Sequence, residues 1–184
     1  MADTKISAMP NASALTGAEY VPIVQDGANV KTTIADIFAT LAYGQMYVAS
    51  GVVSQTTSAT PNAWTKLTCF TTNDLNNNTT PDAANDQIVI ANAGVYQVQF
   101  SCSFSATNNH TFAFRFYNQS TSAPYANTVV KSHLQSTDPM SIACSSIVSV
   151  GAGEALIVQV SSTQASQTFT VSDANISVIQ VSAT

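Results

Sequence analysis

Tyr96-Gln97-Val98-Gln99-Phe100-Ser101-Cys102-Ser103-Phe104 alternates apolar and polar residues without a break. Successive side chains of a strand point to opposite faces, so this run buries one face and leaves the other wet or in an interface. Tyr96, Val98, Phe100, Cys102 and Phe104 share the apolar face. Gln97, Gln99, Ser101 and Ser103 share the other. A polar break at Ala106-Thr107-Asn108-Asn109-His110 leads to Thr111–Tyr117, where Phe112, Phe114 and Phe116 alternate with Ala113 and Arg115. Two alternating runs joined by a polar loop read as an antiparallel hairpin.

Working outward, similar runs occupy Met46–Val53, Ala63–Phe70, Gln87–Ile90, Tyr125–Leu134, Ser141–Val150, Ala155–Ser161, Thr168–Ser172 and Ile176–Val181. Breaks rich in Asn, Asp, Gly, Pro and Ser separate them, as turn chemistry requires. The longest, Asn73–Asn85, reads as a surface loop. Short strands at near-regular spacing with no helix between them predict an all-β chain, a jelly-roll sandwich of eight to ten strands spanning 45–184. Residues 1–44 have another texture, with Pro10, Gly17, Pro22, Gly27 and Gly44 and no sustained period. They read as an extended arm with one short helix over Thr32–Leu41, capped by Thr32 or Thr33 with Asp36 at capping-box distance from Thr33. An arm too irregular to fold alone gains order by lying on a partner.

Composition agrees. Of the 184 residues, 45% are hydrophobic and 8% charged, against roughly 25% charged in an average soluble protein. Few Glu, Lys and Arg remain to clothe helices, whereas Thr, Val, Ile and aromatics suit a half-buried pleated surface. Lys5, Lys31, Lys66, Arg115 and Lys131 stand singly in a chain of net charge −5, which excludes a phosphate-tracking stripe and so a nucleic-acid partner. No stretch approaches ~20 apolar residues, and the N-terminus lacks a signal-peptide core, so synthesis in the cytoplasm without membrane insertion is expected.

Chemistry is sparse. His110 and His133 are the histidines, and Glu19 and Glu154 the glutamates. Neither pair has the company a nucleophile, a base or a glycosidase acid needs. Asp82 and Asp86 flank Asn85 without calcium-loop spacing. Cys69, Cys102 and Cys144 form no Cys-x-x-Cys pair and read as core fillers. No enzyme activity, cofactor or metal is expected. Trp64, the lone tryptophan, reads as a buried anchor ahead of a sugar-stacking platform. Arg115 and Tyr117 point away from the Phe face and are residue types interfaces favour.

Ile88-Val89-Ile90-Ala91-Asn92-Ala93-Gly94-Val95-Tyr96-Gln97-Val98 resembles the strand–turn–strand signature of trimeric jelly rolls related to tumour necrosis factor and the complement globular head, with Gly94-Val95-Tyr96 its most specific element. Gly151-Ala152-Gly153-Glu154-Ala155-Leu156 resembles that family's later turn, and Trp64-Thr65-Lys66-Leu67 an early strand. The resemblance implies a threefold homotrimer. Tyr96, Gln97, Gln99, Arg115 and Tyr117 are its candidate contacts.

Residues 1–44 carry a second resemblance. Lys5-Ile6-Ser7-Ala8-Met9-Pro10, Leu15-Thr16-Gly17-Ala18-Glu19, Val21-Pro22-Ile23-Val24-Gln25-Asp26-Gly27 and Lys31-Thr32-Thr33-Ile34-Ala35-Asp36-Ile37 resemble the N-terminal segment of bacteriophage fibre and appendage proteins. This implies a virion anchor, with Ile6, Pro10, Leu15, Val21, Pro22, Val24, Ile34, Ile37 and Phe38 as its contacts. The expected protein is a structural virion protein, a short trimeric head fibre or capsid decoration protein held to other capsid or tail proteins by its arm. The alternative is a receptor-binding tail fibre or tail-spike tip that recognises host surface glycans.

Overall fold

The computed structural model describes residues 18, 20–25, 28–33, 40–49, 51–106, 110–126, 128–134 and 138–183. The chain divides into two units, Met1–Thr40 and Leu41–Thr184. In the first, β1 (Tyr20–Gln25) and β2 (Ala28–Thr33) pair antiparallel, from Tyr20 opposite Thr33 to Gln25 opposite Ala28. Val21, Pro22 and Val24 thus belong to a paired strand instead of an irregular arm. Ile6, Pro10, Leu15, Ile34, Ile37 and Phe38 lie outside the described residues, as does most of the expected helix. Its proposed capping residues, Thr32 and Thr33, end β2.

The second unit is an antiparallel jelly-roll sandwich. Its strands are β3 (Tyr43–Tyr47), β4 (Val53–Thr56), β5 (Thr65–Lys66), β6 (Thr72–Asn77), β7 (Thr79–Asp82), β8 (Gln87–Ile90), β9 (Gly94–Ala106), β10 (His110–Asn118), β11 (Ala123–Pro124), β12 (Val130–Leu134), β13 (Met140–Val150), β14 (Ala155–Ser162) and β15 (Thr168–Ala183). A seven-stranded sheet runs β11-β10-β14-β8-β7, with β12 also on β10 and β5 on β14. A six-stranded sheet runs β13-β9-β15-β3-β6, with β4 on β15. The expected loop at 73–85 instead contains β6, β7 and a 3-10 turn at Ala83–Asn85. The two runs at 168–172 and 176–181 are one strand, β15, whose register shifts between Val171 and Asp173 and again between Gln180 and Ser182. Such a bulge interrupts alternation without ending the strand.

β9 and β10 are not a hairpin. β9 pairs with β13 and β15, and β10 with β11, β12 and β14. β9 belongs to the six-stranded layer and β10 to the seven-stranded one, about 10 Å apart in a sandwich. Their apolar faces therefore meet across the sandwich and not side by side. The Phe104 ring centre lies 5.5 Å from that of Phe112 and 5.3 Å from that of Phe114, and Phe100 lies 5.7 Å from Phe114. Phe169 of β15 closes the cluster, 5.4 Å from Phe112. All five rings are buried. Each contributes roughly 1.5–3 kcal/mol of apolar burial, and edge-to-face pairing adds to it.

Gly94 of the Gly-Val-Tyr signature has a steric reason. A Cβ there would lie 2.7 Å from the Ser182 carbonyl oxygen and 3.3 Å from the Tyr96 ring. Only glycine lets β9 and β15 approach so closely after the bulge.

Candidate functional site

The groups with chemical potential are mostly committed to the fold. Asp82 caps the 3-10 turn, its Oδ1 accepting from Asn85 N at 3.2 Å. Asp86 is buried in the left-handed region (φ 46°), and its Oδ1 accepts from Phe70 N at 2.9 Å. Loss of water raises its carboxyl pKa, opposed by the Phe70 and Cys69 amides and by Lys66. Glu154 Oε2 accepts from Gly151 N (2.7 Å) and Asn118 Nδ2 (2.8 Å), bracing the turn that takes the chain from β13 to β14. His133 Nδ1 shares a 2.9 Å hydrogen bond with Thr111 Oγ1, and His110 Nδ1 is buried without a partner among the described residues. No group of three or more His, Cys, Asp or Glu suited to a metal occurs among the described residues. Nor does any helix there have the length and apolarity to cross a membrane.

What remains is the two outer faces. On the six-stranded sheet, register aligns Ile147, Gln97, Ile179 and Tyr43 in one row across β13, β9, β15 and β3. Beside it run Ser145-Gln99-Ser177-Gln45, then Ala143-Ser101-Asn175-Tyr47, then Ser141-Ser103-Asp173. Asp173 is the one charge in these four rows. Ile147 is 67% exposed, Ile179 47% and Tyr43 37%. The small side chains leave two grooves of about 420 Å³ each, one along Ser101, Ser103, Ser141 and Ala143, the other along Gln99, Ala143 and Ser145.

On the seven-stranded sheet, Arg115 donates through Nε and Nη2 to Gln159 Oε1, at 2.9 and 2.7 Å. Its guanidinium carbon stands 4.1 Å from the centre of the Trp64 ring and 5.4 Å from that of Tyr117. Trp64 is half-buried on this outer face and is not the expected buried anchor. It immediately precedes the two-residue β5, too short to show which phase faces inward.

The five candidate trimer contacts do not form one surface. Tyr96 is fully buried, its hydroxyl donating to Asn92 O at 2.6 Å, because position 96 shares the inward phase of Val98 and Phe100. It is not available to a partner. Gln97 and Gln99 project from one layer, Arg115 and Tyr117 from the other. Sequence reasoning missed Ile147, Ile179 and Tyr43. The signal was an aliphatic on the polar phase of its strand, plain at Ile147 once Val148 and Val150 are placed inside.

In fold the second unit is similar to the structure of Eiger TNF from S. frugiperda (TM-score 0.56, 13% identity, covering 78% of this chain and 93% of that one). It is also similar to the globular domain of zebrafish complement 1qA protein (TM-score 0.55, 8% identity, 78% and 99% covered) and to murine APRIL at pH 5.0 (TM-score 0.54, 10% identity, 77% and 100% covered). At such identities the likeness is one of fold. No family model matches the chain, and no curated protein matches it.

Proposed function

We propose that this chain is a non-enzymatic assembly module that forms a homotrimer through the outer face of its six-stranded sheet and is held by residues 1–44 on a bacteriophage particle, as a short head fibre or capsid decoration protein. The observation that carries the assembly is the row Ile147-Gln97-Ile179-Tyr43, flanked by the uncharged row Ser145-Gln99-Ser177-Gln45. Apolar groups left on a sheet face whose four rows hold one charge gain by burial, and the grooves along Ser101, Ser103, Ser141, Ala143 and Ser145 leave room for a partner's side chains. Trimerisation is further supported by the resemblance to a family of threefold jelly rolls. The particle is supported by the N-terminal sequence blocks from Lys5 to Ile37, which follow one another in the same order as in the segment they resemble. Three arms joined through one head bind with avidity when their docking sites are correctly spaced.

Removing residues 1–40, which leaves β3 whole, tests the anchor. The truncated protein should remain a folded trimer and no longer join particles; normal incorporation would move the attachment surface onto the sandwich. A receptor-binding tip is the second function, favoured by the aromatic shelf at Trp64 on the opposite face. If the chain is a decoration protein, particles lacking it should adsorb to host cells at near-normal rates. Adsorption lost on deletion and restored by added protein would decide for the receptor tip.

A further inference from the structure

We propose that the outer face of the seven-stranded sheet carries a binding site for one acidic sugar residue, walled by Trp64 and Lys131 and floored by Ser161. The site is a cavity of about 190 Å³ whose lining includes Asn62, Trp64, Ala113, Lys131, Ser161 and Thr163. Register builds it. Ala113 of β10 lies opposite Lys131 of β12 on one side and Ser161 of β14 on the other. Two small side chains therefore form a floor between long flanks. The next residue pair along, Val160 with Thr65, brings Trp64 to the rim.

The polar groups here are unspent. Ser161 is only 5% exposed, yet its hydroxyl makes no hydrogen bond among the described residues. The Asn62 amide and the Lys131 ammonium are exposed at the rim, with no partner among the described residues. Asn62 itself is held in the left-handed region (φ 62°), with its backbone N–H donating to Ser162 O at 2.7 Å. Ser161 Oγ is not a sealed, unpaired atom, so what this residue exposes opens on the cavity, where water or a ligand completes its hydrogen bonds. The indole is fixed in advance by Arg115, itself held by Gln159, so little order has to be gained on binding.

These features select the ligand class. An apolar ligand would leave the Ser161 hydroxyl and the Asn62 amide desolvated and unpaired. A bare anion would make no use of the indole. A pyranose presents C–H groups to an aromatic face and hydroxyls that both donate and accept, which suits a serine and an asparagine. A carboxylate on the ring would meet Lys131. The site rests on one protomer and on neither trimerisation nor attachment. Within the receptor-tip function it names the class of receptor, and adsorption assays test that function separately.

Trp64 is the lone tryptophan, so its fluorescence reads the site directly. The full-length protein should be titrated with glucuronate, N-acetylneuraminate, glucose and inorganic phosphate, with binding confirmed by saturation-transfer NMR. At least one of the acidic sugars should shift the emission saturably, binding about tenfold more tightly than glucose, while phosphate leaves it unchanged. Lys131→Met should abolish the preference for the acidic sugar. Ser161→Val should weaken all sugars about tenfold, its fold checked by circular dichroism. The absence of a saturable shift with any sugar, an equal shift with phosphate, or equal affinity for glucose and the acidic sugars would overturn the proposal. So would undiminished acidic-sugar binding by Lys131→Met, whose exposed position leaves folding intact.

Discussion

Ile179→Asp separates assembly from folding. Ile179 is 47% exposed in the protomer and sits in the middle of its row, opposite Tyr43 on one side and Gln97 on the other. Complete burial of an isoleucine is worth roughly 1.5–3 kcal/mol, so covering its exposed half contributes about 1 kcal/mol per copy and about 3 kcal/mol per trimer. Aspartate forfeits that. It also places a carboxylate where the four rows offer no cation, at a cost of about 1 kcal/mol or more per copy even when water partly remains. The sum, about 6 kcal/mol per trimer at the low end, weakens association about 10⁴-fold. Folding of the protomer should change by no more than about 0.5 kcal/mol, because the site is on its surface. Light scattering at micromolar concentration should give about three times 19.2 kDa for the native protein and 19.2 kDa for the variant. The melting curve of the variant should remain cooperative. Val129→Asp, at an exposed position just before β12 in the other layer, is the control and should stay trimeric. A native protein of 19.2 kDa throughout, or an Ile179→Asp protein of unchanged mass, would refute the assignment of this face.

Three further perturbations test the interior. Phe104→Ala should cost about 3–5 kcal/mol, because its buried ring touches Phe112 and Phe114 of the opposite layer; a loss under about 1 kcal/mol in a denaturant titration would contradict the cross-layer packing. The thiols should label slowly until denaturant is added, since burial pushes Cys102 up to about 12, raises Cys69 and Cys144 as well, and commits Cys144 Sγ to Thr128 O at 3.2 Å. Fast native labelling of Cys102 would mean that the inward phase of β9 is wrong. Asp86→Asn keeps an acceptor for Phe70 N and removes a carboxyl whose pKa is raised in the folded chain. A raised acid contributes its stability below the unfolded value and loses it as pH climbs through the folded value. The variant should therefore gain on the native protein as pH rises above the ordinary carboxylate range, then hold a constant margin; a margin independent of pH from 3 to 7 would rule this out.

The all-β class, the inward phase of β9 and β10 and the limits of β8 were legible because strand alternation is a local property. So was the likeness to trimeric jelly rolls, whose Gly94 answers to a contact with Ser182. The β1–β2 pairing left a signal that went unused, the Asp26-Gly27 dipeptide between two strand-length runs. Other features had no local signature. Whether Phe112 sits beside Phe104 or across from it depends on which layer β10 joins, and that is decided by pairing with β14, from Phe112 opposite Ser162 to Asn118 opposite Leu156, far along the chain. The row through Ile147, Ile179 and Tyr43 exists only once three registers are set together. Ser161 looks like any strand serine until β5, β10 and β12 enclose it with Trp64 and Lys131. Alternation states which way a side chain points, whereas register and layer choice state what it meets. The second kind of information comes from long-range packing of the whole core, so the sequence alone revealed the architecture and only the tertiary structure assembled the two outer faces.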